Sequence, residues 1–117
     1  MRYLALIYTA EVDPTTVTAA EQAAMLDEYN RFGADAGAAG VLRGGEALQP
    51  TATATTIRVR DGQRSTTDGP FIETKEALGG YYVLDCADLD EAIAWAARIP
   101  GASHGAVEIR PIFEFGL

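Results

Sequence analysis

The chain is poor in the residues that build metal and disulfide sites: it holds one cysteine, Cys86, and one histidine, His104. A lone cysteine closes no intrachain disulfide, and zinc or iron–sulfur sites need clustered ligands at set spacings. No metal is therefore expected, and nothing in the sequence supports a carboxylate magnesium site at Glu73 and Glu76. Positive charge is also scarce. Nine Lys and Arg against 17 Asp and Glu leave a formal net charge of −8, with no basic block to offset it. Such a surface repels phosphate backbones, so direct nucleic-acid binding is not expected. Long hydrophobic runs are missing too. Tyr3 to Tyr8 follows Arg2 and soon meets Glu11, too short a run for a signal segment or a membrane span. No membrane association is expected, and with the single cysteine this points to the cytoplasm. Gly40-Val41-Leu42-Arg43-Gly44-Gly45 lacks the Lys-Ser/Thr of a phosphate loop, and no G-x-G-x-x-G opens a helix. No nucleotide and no other cofactor is expected.

What is present suits a single ordered domain over residues 1–117, with 48% apolar residues and no repeats, linkers or low-complexity tails. Tyr3 to Tyr8 reads as a first strand. Thr18-Ala19-Ala20-Glu21 has capping-box spacing, and Met25, Tyr29, Phe32 and Ala36 then recur at helical steps until Gly37 and Gly40. Val41 to Leu48 is a short strand that Gly44-Gly45 can bulge and Pro50 closes. Thr53 to Arg60 alternates, Asp61-Gly62 is a hairpin turn signal, and Gln63 to Thr67 should pair back. After Gly79-Gly80 comes the strand Tyr81 to Cys86. A helix from Asp88 follows and carries Leu89, Ala92, Ile93, Ala96 and Ile99, stopped by Pro100-Gly101. Ala106 to Phe115 is the last strand, with Val107, Ile109, Phe113 and Phe115 on one face.

This order is β-α-β-β(-β)-β-α-β, an α+β, ferredoxin-like split β-α-β arrangement with an extra hairpin strand. The runs apolar on both faces, Tyr3 to Tyr8 and Tyr81 to Leu84, are the ones that this topology places centrally. Helices cover only one face of a two-layer domain. Central strands that are apolar on both sides need a second cover, and a second copy of the chain is the simplest supplier. A homodimer through the sheet face is expected.

Chemistry concentrates in Asp68-Gly69-Pro70-Phe71-Ile72-Glu73-Thr74-Lys75-Glu76. Its first four residues have a structural account. Asp68 can accept backbone amides, Gly69 before a proline suits an awkward corner, and Phe71 can anchor the loop in the core. That account leaves the charges of Glu73, Lys75 and Glu76 unexplained. His104 titrates nearest neutrality and is the default general base, although a lone loop histidine more often is simply solvated. Cys86 reads as a small core residue, and Trp95 and the tyrosines as core or interface. Arg58, Arg60, Glu108 and Arg110 are either edge-protecting charges or partly buried groups in need of acidic partners, and both readings stay open.

The nine-residue run closely resembles the D-G-P-F-A-E-T-K-E signature of a branch of the YCII-related family, with Ile72 in place of Ala. Gly44-Gly45-Glu46-Ala47-Leu48-Gln49-Pro50, Leu78-Gly79-Gly80-Tyr81-Tyr82 and Val107-Glu108-Ile109-Arg110-Pro111-Ile112 are similar to further segments of that family, so nearly the whole chain is covered. The resemblance implies a ferredoxin-like dimeric α+β barrel. Other YCII-related proteins carry a His-Asp pair, and one is a cofactor-independent dehydrochlorinase; here the one histidine lies late, before the last strand. Members of the branch are often encoded near extracytoplasmic-function sigma factors.

Two functions follow as expectations. The first is a small-molecule-binding protein, extending to a cofactor-independent lyase or isomerase. Asp68, Glu73 or His104 would then serve as acid/base, and Lys75, Glu76 and Arg110 would hold a small anionic or polar ligand. The second is a non-catalytic regulatory or interaction module in a sigma-factor pathway, recruiting a basic partner to an acidic surface.

Overall fold

A computed structural model describes residues 1–116. The elements are β1 (Arg2–Ala10), α1 (Ala19–Ala38), β2 (Leu42–Ala47), β3 (Thr55–Arg60), β4 (Gln63–Asp68), β5 (Glu76–Asp85), α2 (Leu89–Ala96) and β6 (Ala106–Pro111), with short 3-10 turns at Thr51–Thr53 and Pro100–Ser103. Local chemistry sets several of these bounds. The Thr18 hydroxyl accepts the Glu21 amide at 3.1 Å and caps α1, and Gly40, at φ 74°, takes the left-handed exit. The Asp88 carboxylate accepts the Glu91 amide at 2.9 Å and caps α2. Asp61 and Gly62, at φ 51° and 73°, make the tight turn between β3 and β4.

Four strands form one antiparallel sheet in the order β2-β5-β1-β6, while β3 and β4 pair only with each other. α1 connects β1 to β2 across the intervening β5, and α2 connects β5 to β6 across β1. The helices cover one face. Tyr3, Ala5 and Ile7 of β1 and Leu84 of β5 are buried there with Phe32 and Ala36 of α1 and Ala92 and Ala96 of α2. Phe32 is the pivot of this core, its ring centroid 5.0 Å from that of Tyr82 and 6.3 Å from that of Trp95. Cys86 is buried at the end of β5, and burial pushes its thiol pKa up, as suits a core residue.

The expectation of a ferredoxin-like dimeric α+β barrel with an extra hairpin strand is corrected on two points. The main sheet is open, with β2 and β6 as its edges, and four strands are too few to close on themselves. The hairpin is no fifth strand of that sheet but a second, two-stranded sheet of its own. The chain leaves β2 at Ala47, and Pro50 and the turn at Thr51–Thr53 carry it away before β3 begins. The result is an α+β fold with two open sheets.

Three bounds differ from expectation by three residues or more. β5 starts at Glu76 rather than Tyr81 because Gly79 is accommodated as a bulge: Ile7 pairs with Gly80 and Tyr8 with Leu78. α2 ends at Ala96, and the buried Ile99 belongs to the turn that follows it. β6 ends at Pro111, so Phe113 and Phe115 leave the strand and stack on each other, exposed, at 4.7 Å.

Candidate functional site

The apolar stripe of α1 meets two different floors. Phe32 and Ala36, in its C-terminal half, are buried on the sheet. In its N-terminal half the sheet below offers Gly45 of β2 and Gly79 and Gly80 of β5, which have no side chains to fill the gap. A cleft of about 490 Å³ results, walled by Gln22, Met25, Leu26 and Tyr29 of α1 and floored by those glycines and by Tyr82. Met25, at an expected core position, is consequently 50% exposed.

The three glycines have different reasons to be glycine. A Cβ on Gly45 would lie 2.5 Å from Cδ1 of Tyr82 and 2.6 Å from the Tyr81 carbonyl oxygen, so Gly45 lets the Tyr82 ring cross β2. A Cβ on Gly80 would come within 2.9 Å of the Glu46 carbonyl oxygen. Gly79 has neither constraint. Its backbone is outside the left-handed region, and the nearest atom to a Cβ there is Thr9 Oγ1 at 3.9 Å. A side chain at 79 would occupy open space beside Thr9, which also lines the cleft.

Apart from the exposed Glu46, the polar groups of the cleft are neutral. Burial raises the pKa of Tyr29; the Gly101 backbone partly opposes this by hydrogen bonding, and Glu28 reinforces it. Burial also raises Tyr82, with a further contribution from Tyr29. Both phenols therefore stay protonated at neutral pH and can donate to an acceptor. The Thr9 hydroxyl and the Gln22 amide add donor and acceptor capacity, and no Lys, Arg or His of the described residues lines the cleft.

The residues singled out in the sequence lie elsewhere, and none of the six lines this cleft. Asp68 ends β4, exposed, opposite Thr55. The corner after it forms as expected: Gly69 sits at φ 105°, its amide donates to the Ala54 carbonyl at 2.7 Å, and Thr56 Oγ1 donates to the Gly69 carbonyl at 2.9 Å. Phe71, expected in the core, is 71% exposed, with the Arg58 guanidinium 5.0 Å over its ring. No helix reaches over this end of the hairpin, so the ring has no core to enter. Glu73 and Lys75 are exposed and make no ion pair among the described residues. Glu76 begins β5 opposite Ala10, and the Thr74 hydroxyl donates to its carbonyl. Its Oε2 lies 2.6 Å from where a Cβ on Gly105 would be, which brings Glu76 beside the loop carrying the exposed His104. Arg110 pairs with Leu4 at the β6 edge and is exposed. Among the described residues, no three His, Cys, Asp or Glu side chains gather to hold a metal.

Sequence reasoning missed Tyr29, Tyr82, Thr9, Gln22 and Gly79 as site residues. The available signal was the pair of double glycines, Gly44-Gly45 and Gly79-Gly80, which read as a bulge and a break but lie on neighbouring strands, with Gly45 opposite Tyr82 and Gly80 opposite Ala47.

Two comparisons bear on this arrangement. The family model described as YCII-related domain matches residues 1–116. An uncharacterized protein of Rhizobium meliloti (strain 1021) is 48% identical over 67 residues, 56% of this chain and 54% of its own length. The chain thus spans about half the length of the curated relative it matches.

Proposed function

The chain belongs to the YCII-related domain family, and on that premise we propose that it binds a small molecule in the cleft between α1 and the glycine floor of β2 and β5. The observation that carries this reading is Gly79. Glycine inside a strand costs about 0.5–1 kcal/mol relative to alanine, and neither backbone conformation nor packing demands it here. What its missing side chain does is keep the cleft open, as glycine does where a ligand approaches a sheet closely. A volume of about 490 Å³ is in the range of small-molecule sites. Ligand-observed NMR of a fragment library tests this directly. Fragments that bind the native chain should lose binding to Gly79→Val at unchanged melting temperature; equal binding to both chains, or no binding to either, refutes it.

The proposal is binding rather than turnover. A lyase or isomerase needs an acid or base within reach of the ligand, and the cleft lining offers only the protonated phenols and the exposed Glu46 carboxyl. Asp68, Glu73 and His104 lie outside it. The signature run places the chain, in our reading, in the D-G-P-F-A-E-T-K-E branch of the family, and we assign it to the cytoplasm. No helix among the described residues is long and apolar enough to cross a membrane. We further propose a homodimer through the face that the helices leave bare, where Leu4, Leu6 and Val83 are only partly buried.

One observation favours a second reading, an interaction module such as a sigma-factor pathway would use. Phe71 and Ile72, 71% and 65% exposed, stand beside the charges of Glu73 and Lys75, which form no ion pair among the described residues. A partner captured from the source cells by the native chain should be lost with Phe71→Ser and Ile72→Ser together; the same partner recovered by both chains removes this reading.

A further inference from the structure

We infer that the ligand of this cleft is a neutral, planar, largely apolar molecule carrying a hydrogen-bond acceptor that faces the Tyr29 and Tyr82 hydroxyls. The inference rests on the binding reading above and adds the class of molecule.

The floor argues for planarity. Gly79 leaves its backbone bare and Gly80 beside it is buried without a side chain, while the Tyr82 ring covers Gly45, so a flat body can settle onto the ring and the adjoining strand at van der Waals distance. Met25 and Leu26 supply an apolar wall from α1. Both are half or more exposed, at 50% and 61%, so a molecule seated between helix and sheet removes their surface from water.

Charge argues for neutrality. The only charged residue along the cleft, among those described, is the acidic Glu46. The N-terminus of α1, which would otherwise attract an anion, is already served by the Thr18 cap and by the Glu21 carboxylate in its first turn. An anionic ligand would enter with no cation to receive it, and a cation would lack a buried carboxylate. The expectation of a small anionic ligand held by Lys75 and Arg110 has no counterpart in the cleft, because neither residue reaches it.

The phenols set the remaining specificity. Tyr29 and Tyr82 both line the cleft, and the Tyr29 hydroxyl lies beside the Gly101 backbone, 3.0 Å from where a Cβ on Gly101 would be. Tyr82 makes no side-chain hydrogen bond within the chain among the described residues, so its O–H is available to a ligand. A carbonyl or ether oxygen, or a ring nitrogen, facing either hydroxyl would accept from it. A hydrocarbon of the same shape would leave them without a partner in a drying cleft, which is the larger penalty.

Three probes of one shape separate these claims: acetylnaphthalene, naphthoate and ethylnaphthalene, each substituted at the same ring carbon. Their dissociation constants are compared on the native chain and on Tyr29→Phe/Tyr82→Phe, with circular dichroism confirming that the variant is folded. The ketone should bind about tenfold more tightly than the hydrocarbon and at least about tenfold more tightly than the carboxylate. In the double variant the ketone should lose its advantage while ethylnaphthalene binds as before. Carboxylate binding that matches the ketone overturns neutrality, and a ketone advantage that survives the double variant overturns the role of the phenols. Hydrocarbon binding without any ketone advantage rejects the ligand class but keeps the cleft as a site. Failure of all three probes on the native chain rejects the binding reading itself, and this inference with it.

Discussion

Gly45 and Gly79 lack the same methyl group, but the space it would fill differs. At 45 a Cβ meets the Tyr82 ring and the Tyr81 carbonyl at 2.5 and 2.6 Å, and both are held by the sheet. Gly45→Ala should therefore destabilise the protein by about 1–3 kcal/mol, as overpacking does, seen as a lower denaturant midpoint at unchanged slope. Gly79→Ala should be neutral or stabilising by up to about 1 kcal/mol, because nothing lies closer than 3.9 Å. Equal effects at the two positions would remove the distinction on which the site rests. The half-buried phenols give a second residue-scale prediction. Their folded-state pKa values lie above the unfolded value of about 10. The associated stability is then fully present below that pH and is lost as pH rises from there through the folded-state values. Tyrosinate absorbance should show a late-titrating component that Tyr29→Phe/Tyr82→Phe removes, and the same double variant should flatten the alkaline fall in stability. A titration curve unchanged by the double substitution, apart from amplitude, would contradict this.

Among the elements, those whose signals are local were legible in the sequence. Thr18 and Asp88 cap the helices, Asp61-Gly62 makes the hairpin, and the two segments apolar on both faces, β1 and β5, are central in the sheet. What periodicity does not carry is the identity of the surface opposite. The stripe Met25-Tyr29-Phe32-Ala36 reads as one core face, yet half of it looks down on glycines, and a residue without a side chain leaves no hydrophobic signal of the space it creates. The hairpin was similarly legible as a hairpin and illegible as a separate sheet. Its register with itself is local, from Thr55 opposite Asp68 to Arg60 opposite Gln63, whereas joining β2 is decided by the path through Pro50. The signature run was legible as a corner, but its distance from the cleft depends on that same path. An isolated two-stranded hairpin is marginally stable, and Ile57 and Val59 lie exposed on β3. In dilute solution the amides of β3 and β4 should exchange with deuterium far faster than those of β1 and β5. Equal protection would mean that something covers the hairpin.

For the whole molecule, shape is the informative quantity. The radius of gyration is 16.4 Å and the thinnest extent 18 Å, against about 13 Å for the radius of a compact chain of this length. The excess reflects a slab one helix layer and one sheet thick, with an arm beside it. A second copy laid on the bare sheet face would thicken the slab while leaving each sheet open. Light scattering should give twice the 12.4 kDa chain mass; a single-chain mass at micromolar concentration would reject the dimer. Leu84 and Ile99, the largest side chains buried almost completely, anchor the slab, and Leu84→Ala should cost about 2–5 kcal/mol, measured by chemical denaturation. Binding in the cleft is the central claim, and amide chemical-shift mapping during titration with acetylnaphthalene tests it most directly. Perturbations should cluster at Gly45, Gly79, Gly80, Tyr82 and the first turns of α1, and vanish in a folded Gly79→Val variant. Perturbations centred on Asp68 to Glu76, or persisting in that variant, would contradict it.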